Sequence, residues 1–174
     1  MSPSKSIKNQ IINQNNSGYR YSIESFLLVD FAKFSPGQEV LDIGTGCGII
    51  PLLMINRESE MKITGVEIQG SAVAIAKQNV SKNKNKIKIL NEDFLDKGLT
   101  FPREQFDLII SNPPYRKINS GRMNLDEGKA IARHELKLNL QDMLEKAKPF
   151  LKKGGHITLA YPPIRLQETL SELE

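Results

Sequence analysis

Short apolar runs alternate with stretches of helical periodicity along most of this chain, and no other feature narrows the possible folds as much. EVLDIG, MKITGVEI, KIKIL, FDLII and HITLAY each read as a short buried strand. GIIPLLMINRE reads as a helix opening on glycines, with Pro51 in its first turn, where the missing N–H costs nothing. SAVAIAKQNVSKN reads as a second helix, with Ser71 as its N-cap. Ahead of the first strand, Ile23, Phe26, Leu27, Phe31 and Phe34 recur at helical spacing, and Pro36-Gly37 ends that helix. Before the last strand, Leu136, Leu140, Met143, Leu144, Ala147 and Leu151 share one helix face, and Gly154-Gly155 reads as its cap. Strands alternating with helices predict an α/β fold built on a doubly wound, mostly parallel sheet.

Ligands of such sheets sit outside the carboxyl ends of the strands, where the strand order reverses. The first strand runs into glycines, the second ends at Glu67, the third stops just before Asp93, and the fourth ends at Asn112. All four tips are therefore expected at one crevice. The polar stretch from Pro113 to Arg133 has little periodicity and reads as a loop beside it.

The first tip, LDIGTGCG, spaces Asp42, Gly44, Gly46 and Gly48 as D-x-G-x-G-x-G. A dinucleotide fingerprint needs G-x-G-x-x-G, and here the third glycine comes one residue early. Asp42 also argues against a pyrophosphate, which seeks amides and a helix dipole, not a carboxylate. A cationic ligand without phosphate suits the acid, and S-adenosylmethionine, with an ammonium and a sulfonium, is such a ligand. NAD is not. Glycines let the backbone approach it closely. Glu67 can accept both ribose hydroxyls in a forked hydrogen bond, beside Ile68. Asp93-Phe94 can bind the adenine amine and cover its ring. Cys47 reads as a small residue filling the glycine turn.

The fourth tip, SNPPYRK, places an amide, two prolines and an aromatic at the mouth of a strand. An amine conjugated to a planar ring, or an amide nitrogen, has a delocalised lone pair. It attacks only when its hydrogens are held so that the lone pair faces the electrophile. The Asn112 side-chain oxygen and the Pro113 carbonyl are two suitable acceptors. Pro113 and Pro114 stiffen the carbonyl, and Tyr115 can stack on the substrate. Catalysis by such a set is mainly positioning, with acceptors that strengthen as the amine becomes cationic.

The motifs LDIGTGCG, GVEI, NEDF and NPPY, in this order, resemble class I S-adenosylmethionine-dependent methyltransferases of the N-P-P-Y group. GYRYSIESFLLVDFA (18–32), GIIPLL (48–53), GVEIQ (65–69), ARHE (132–135) and PPIRLQE (162–168) are similar to the bacterial family that methylates adenine N6 beside the anticodon of valine tRNA. The resemblance implies a Rossmann-like fold, tRNA as substrate, and Asp42, Gly44, Gly46, Glu67 and Asp93 as cofactor contacts. It implies that Asn112 to Tyr115 hold the target amine and that Arg20 and Tyr21 line the methionine end. The family fold has seven strands. Five are expected here, so residues 18–174 read as one methyltransferase domain lacking the last two, after a polar, disordered segment over 1–17. Glutamine-amide methyltransferases of release factors, or an inactive cofactor- or RNA-binding module, are the alternatives. The former carry a helical domain in front of the core, for which there is little room here.

Bulk properties agree with a nucleic-acid partner without demanding one. The chain has 174 residues, 39% hydrophobic and 25% charged, with net charge +4 and a pI near 9.1. Arg116, Lys117, Arg122 and Lys129 flank the catalytic tip and are candidate RNA contacts. Arg133 and His134 read either as substrate contacts or as a helix start, and the KNKNKIK run (82–88) as a solvated loop. One cysteine leaves no internal disulfide and no cysteine-rich zinc site, so no metal is expected. With no signal peptide and no membrane-length apolar run, a cytoplasmic protein is expected.

Overall fold

The structure, a computed structural model, describes residues 23–83, 85–113 and 140–161. Helix α1 (Ile23–Phe31) leads into strand β1 (Glu39–Ile43). Then follow α2 (Ile49–Arg57), β2 (Lys62–Glu67), α3 (Gly70–Asn79), β3 (Ile87–Asn91), β4 (Phe106–Ser111), α4 (Leu140–Ala147) and β5 (Leu151–Leu159). The five strands form one sheet in the order β3-β2-β1-β4-β5, and every neighbouring pair is parallel. The order reverses at β1, which lies between β2 and β4. Ile43 pairs with Val66 on one side and Ser111 on the other, so the three strands end level.

Strand side chains alternate between two apolar layers, as a sheet covered on both faces requires. Val40, Ile63, Leu108 and Ile110 join Leu28 and Val29 of α1, most of α2, and Val73 and Ala76 of α3. Leu41, Ile43, Val66 and Ile109 face the other way, toward Met143, Leu144 and Ala147 of α4. Phe101 fastens this second layer by meeting Phe106 and Phe150 edge-on, at 5.2 and 5.4 Å between ring centres.

Three local expectations are corrected. The stripe Ile23, Leu27 and Phe31 does not face the core: these side chains are exposed, and α1 buries Ser25, Leu28 and Val29 instead. Six of the nine α1 residues are apolar, so two apolar stripes were available and packing against α2 selected one. Arg57, at the end of α2, holds that orientation by donating to the Val29 carbonyl (2.9 Å) and pairing with Asp30. Second, Gly154-Gly155 does not cap α4. The helix gives way at Ala147 to a single 3₁₀ turn, Lys148–Phe150, containing Pro149, and both glycines lie within β5. Gly154 has φ 78°, and the register shifts there, so that Phe106 pairs with Leu151 but Leu108 pairs with His156. Third, Ser71 is inside α3, whose N-cap is Gln69.

Candidate functional site

The glycine turn between β1 and α2 forms because Gly44, Gly46 and Gly48 all take positive φ, at 74°, 56° and 81°. Backbone bonds tie the turn to β2: Gly44 and Thr45 N–H groups both donate to the Val66 carbonyl, at 2.9 and 3.1 Å. The Asn79 amide holds the Cys47 carbonyl at 2.9 Å. A Cβ built on Gly44 or Gly46 would meet nothing within 4 Å. Open space thus lies beside the backbone there. Gly48, by contrast, backs closely onto Val80 and Ala76.

Glu67 is buried at the tip of β2, and each of its carboxylate oxygens accepts a backbone N–H. One takes Gly46 at 3.0 Å and the other Gln69 at 2.8 Å. The same side chain therefore laces the glycine turn to the start of α3. This is why the helix needs no serine cap: the Glu67 carboxylate already sits at its N-terminus. A carboxylate oxygen can accept more than one hydrogen bond. Asn91 at the end of β3 supports the arrangement by donating to the carbonyls of Glu67 and Ile68, both at 3.1 Å.

Asp42 stands in a different environment. It is completely buried, and neither carboxylate oxygen has a hydrogen-bond partner among the described residues. Burial pushes its carboxyl up from 3.8 to about 7, the Thr45 hydroxyl lowers it somewhat, and the negative charge of Glu67 raises it again. The Thr45 hydroxyl is near enough to temper the shift but closes no hydrogen bond. An orphaned buried acceptor pair beside an open glycine cradle and a second acid fits a donor-bearing cationic ligand and opposes a phosphate. Burial also raises the Cys47 thiol, the opposite of what a nucleophile needs.

Beyond β3, Asp93 accepts the Leu95 N–H at 3.0 Å in a local turn. Phe94 is packed into the second apolar layer, with the Lys146 ammonium 5.5 Å from its ring centre. Phe94 is buried at this tip.

At the tip of β4, across the reversal point, the Ser111 hydroxyl donates to the Ile43 carbonyl at 2.7 Å and locks β4 to β1. Asn112 and Pro113 follow directly, both buried. The Asn112 amide nitrogen donates to the Ser25 hydroxyl at 3.2 Å. The fold thus brings Asp42, the three glycines, Glu67, Asp93, Asn112 and Pro113 to one edge of the sheet. Arg20, Tyr21, Pro114, Tyr115, Arg116, Lys117, Arg122, Lys129, Arg133 and His134 lie outside the described residues. Ser25, Thr45 and Asn91 were missed by sequence reasoning. Ser25 alone left a trace, as a polar residue amid the apolar positions of α1.

Among the described residues, no cluster of three or more His, Cys, Asp or Glu is placed to hold a metal. No described helix is long and apolar enough to cross a membrane.

Comparison with known proteins gives this geometry a lineage. The chain is 33% identical over 171 residues to a tRNA1(Val) (adenine(37)-N6)-methyltransferase of Porphyromonas gingivalis, covering 94% of this chain and 66% of that protein. It is 29% identical over 155 residues to the Trichodesmium erythraeum protein of the same name, covering 87% and 64%. It thus spans slightly less than two thirds of either relative. Among solved structures, a precorrin-6y C5,15-methyltransferase from Geobacter metallireducens superposes with a TM-score of 0.66 over 93% of this chain and 73% of that one, at 12% identity. That likeness bears on the fold, and it is a Rossmann-like one. The model of the methyltransferase small domain matches residues 20–173, nearly the whole chain, and the chain belongs to that family.

Proposed function

We propose that this chain is the cofactor-binding and catalytic core of an S-adenosylmethionine-dependent methyltransferase that acts on the exocyclic N6 of an adenine in a tRNA anticodon loop of the valine type. The observation that carries the reading is the pairing, at one sheet edge, of an acidic, phosphate-averse cradle with an asparagine amide held rigidly at the tip of β4. The names of the relatives support tRNA over a protein glutamine.

S-adenosylmethionine supplies, when bound, a methyl group on a sulfonium centre. The residues of the chain do the rest. Glu67 offers its remaining lone pairs to the ribose hydroxyls, oriented by the two backbone amides it already holds. Asp42 supplies acceptors for the cationic end of the ligand, and Asp93 an acceptor for the adenine amine. The Asn112 side-chain oxygen and the Pro113 carbonyl each take one hydrogen of the target amine, which turns the nitrogen lone pair toward the methyl. Both acceptors strengthen as the nitrogen gains positive charge, so no base of tuned pKa is needed before attack. Arg20, Tyr21 and Ile68 complete the cofactor contacts, with Tyr115 stacking on the base and Arg116, Lys117, Arg122, Lys129, Arg133 and His134 on the RNA. Such a substrate puts the reaction in the cytoplasm.

The test is mass spectrometry of nucleosides after incubating protein, labelled cofactor and total tRNA. N6-methyladenosine carrying the label is expected. Label in a protein glutamine, with none in RNA, would transfer the assignment to the amide-methylating branch.

A further inference from the structure

We infer that the amino-end corner of β2 and β3 is a second RNA contact, a lysine-lined recess that takes the sugar–phosphate backbone of the tRNA; the inference rests on the tRNA reading given above. A parallel sheet is ordinarily buried on both faces. At one corner this one is not. In β3, Ile87 and Ile89 are buried, whereas Lys88 between them is exposed. In β2, Lys62 is exposed and Thr64 half-buried, although Met61, Ile63 and Gly65 are buried. The register sets Leu41, Thr64 and Lys88 in one row across three strands, with Glu39 and Lys62 in a row nearer the amino end. Residues of one row share a face. Helix α4 shares its apolar layer with Leu41, Ile43 and Val66, but not with Thr64 or Lys88. The connection from β3 to β4, residues 92–105, contains no helix that could cover them.

What lies at this corner is a recess of about 210 Å³, lined by Lys62, Thr64, Lys86, Lys88, Glu39 and Gln105 among others. Lys86 stands just ahead of β3, where its carbonyl accepts the Ile63 N–H at 2.8 Å. Its ammonium donates to the Ser59 carbonyl at 2.7 Å. An ammonium has three donors, so this anchor aims Lys86 without exhausting it. Among the described residues, Glu39 is the only acid lining the recess. Its carboxylate is 3.7 Å from the Lys62 ammonium and accepts the Gln105 amide at 3.1 Å. Three cations against one acid favour an anion. The volume is below the roughly 300–1,000 Å³ of small-molecule pockets, so a free nucleotide is not the occupant. A phosphate of a chain crossing the open corner fits, and ammoniums spread over two strands match a polyanion whose charges recur. Lys62 lies about 17 Å along β2 from Glu67 at the reacting edge, at about 3.3 Å per residue. The corner therefore cannot touch the target adenine. It holds backbone several nucleotides away, and so positions the RNA without reading its sequence.

Two variants of the full chain test this: Lys62→Gln with Lys86→Gln and Lys88→Gln combined, and Glu39→Gln alone. Filter binding of tRNA over a salt series is the measurement. The triple variant is expected to bind roughly ten- to a hundredfold more weakly at low salt, with the slope of log affinity against log salt reduced by about two to three. Its cofactor affinity by calorimetry should not change. Glu39→Gln should act in the opposite direction and tighten tRNA binding, which a merely damaged fold would not do. Unaltered affinity and slope in the triple variant overturn the inference, even if an acidic peptide proves to bind the corner. So does a Glu39→Gln variant that binds tRNA no better than the wild type, and this decides the matter if the triple variant fails to fold. Wild-type protein that does not bind tRNA at all would sink the tRNA reading together with this one, whereas a wild type that methylates tRNA beside an unaffected triple variant sinks only the recess.

Discussion

Asp42 and Glu67 are two buried acids a few residues from the same turn, and the fold treats them oppositely. Glu67 is met by two backbone amides. Asp42 is met by none among the described residues, and its carboxyl is held near neutrality at about 7. The cost of that placement depends on pH in a definite direction. Below the unfolded value of 3.8 the group is neutral in both states and burial costs little. As pH rises toward about 7 the unfolded chain ionises first, and folding must retain a proton or bury a charge. The gap is worth on the order of 4 kcal/mol once both states are ionised. Asp42→Asn removes the titration, so its melting temperature should exceed that of the wild type by a margin that grows from about pH 4 to about pH 7 and then levels. The same variant should bind S-adenosylmethionine more weakly at pH 8, a trade of stability against function. Melting curves across pH, read as the difference between the two proteins, check the first part, and a margin independent of pH would return Asp42 to an ordinary structural role.

At the scale of elements, the strands were legible because each is a short apolar run with a polar or glycine end, and packing had no competing way to use it. What sequence could not give was the choice among equivalent local signals. Helix α1 offers two apolar stripes, and only the contact with α2 decides between them. Gly154-Gly155 looks like a helix cap, but Pro149 has already ended the helix and the positive φ of Gly154 serves a register shift in β5. Ser71 looks like an N-cap, but α3 already begins at Gly70 with Gln69 as its N-cap, whose N–H is held by the Glu67 carboxylate two residues back. The placement of motif residues such as the glycines and Asn112 at the sheet edge was readable, whereas Ser25, Thr45 and Asn91 make contacts across the sheet and belong to no local pattern. Thr45 illustrates how such a contact constrains a neighbour. A Cβ on Gly65 of β2 would stand 2.9 Å from Thr45 Cβ, Cγ2 and Oγ1, closer than side chains tolerate. Because Thr45 is branched at Cβ, rotating its side chain does not relieve the clash. Gly65→Ala should therefore destabilise the protein by about 1–3 kcal/mol, and by much less in a Thr45→Gly background. Denaturant unfolding of the four proteins in this cycle measures the coupling, and an additive result would separate Gly65 from the turn.

At the scale of the whole molecule, the two ends of the sheet serve different purposes. At the amino end, Asp107 accepts the Glu39 N–H and the Lys152 ammonium, both at 2.8 Å, and these contacts bind β1, β4 and β5 into one body. The Lys152 and Glu39 contacts hold the Asp107 carboxyl below its usual range against the effect of burial. At the carboxyl end stand the groups left wanting a partner or a substrate. On the proposed reading that polarity splits the site: β1, β2 and β3 would hold the cofactor, and β4 the target amine. A base must therefore reach β4 from outside the sheet edge with its amine exposed, which a paired adenine in duplex RNA cannot do. Methylation is expected on a folded tRNA anticodon loop and only weakly on the same sequence in a duplex. The first cations after Asn112 in the sequence are Arg116, Lys117 and Arg122, on a chain of net charge +4. Neutralising these three should weaken RNA binding and reduce the slope of log affinity against log salt by roughly two to three. Cofactor affinity should stay unchanged, because the acids proposed to hold the cofactor lie on the other strands. Filter binding over a salt series, with calorimetry of the cofactor alongside, measures both. Equal methylation of paired and unpaired adenine, or a neutralised variant with unaltered RNA affinity, would leave a methyltransferase core whose substrate enters by another route.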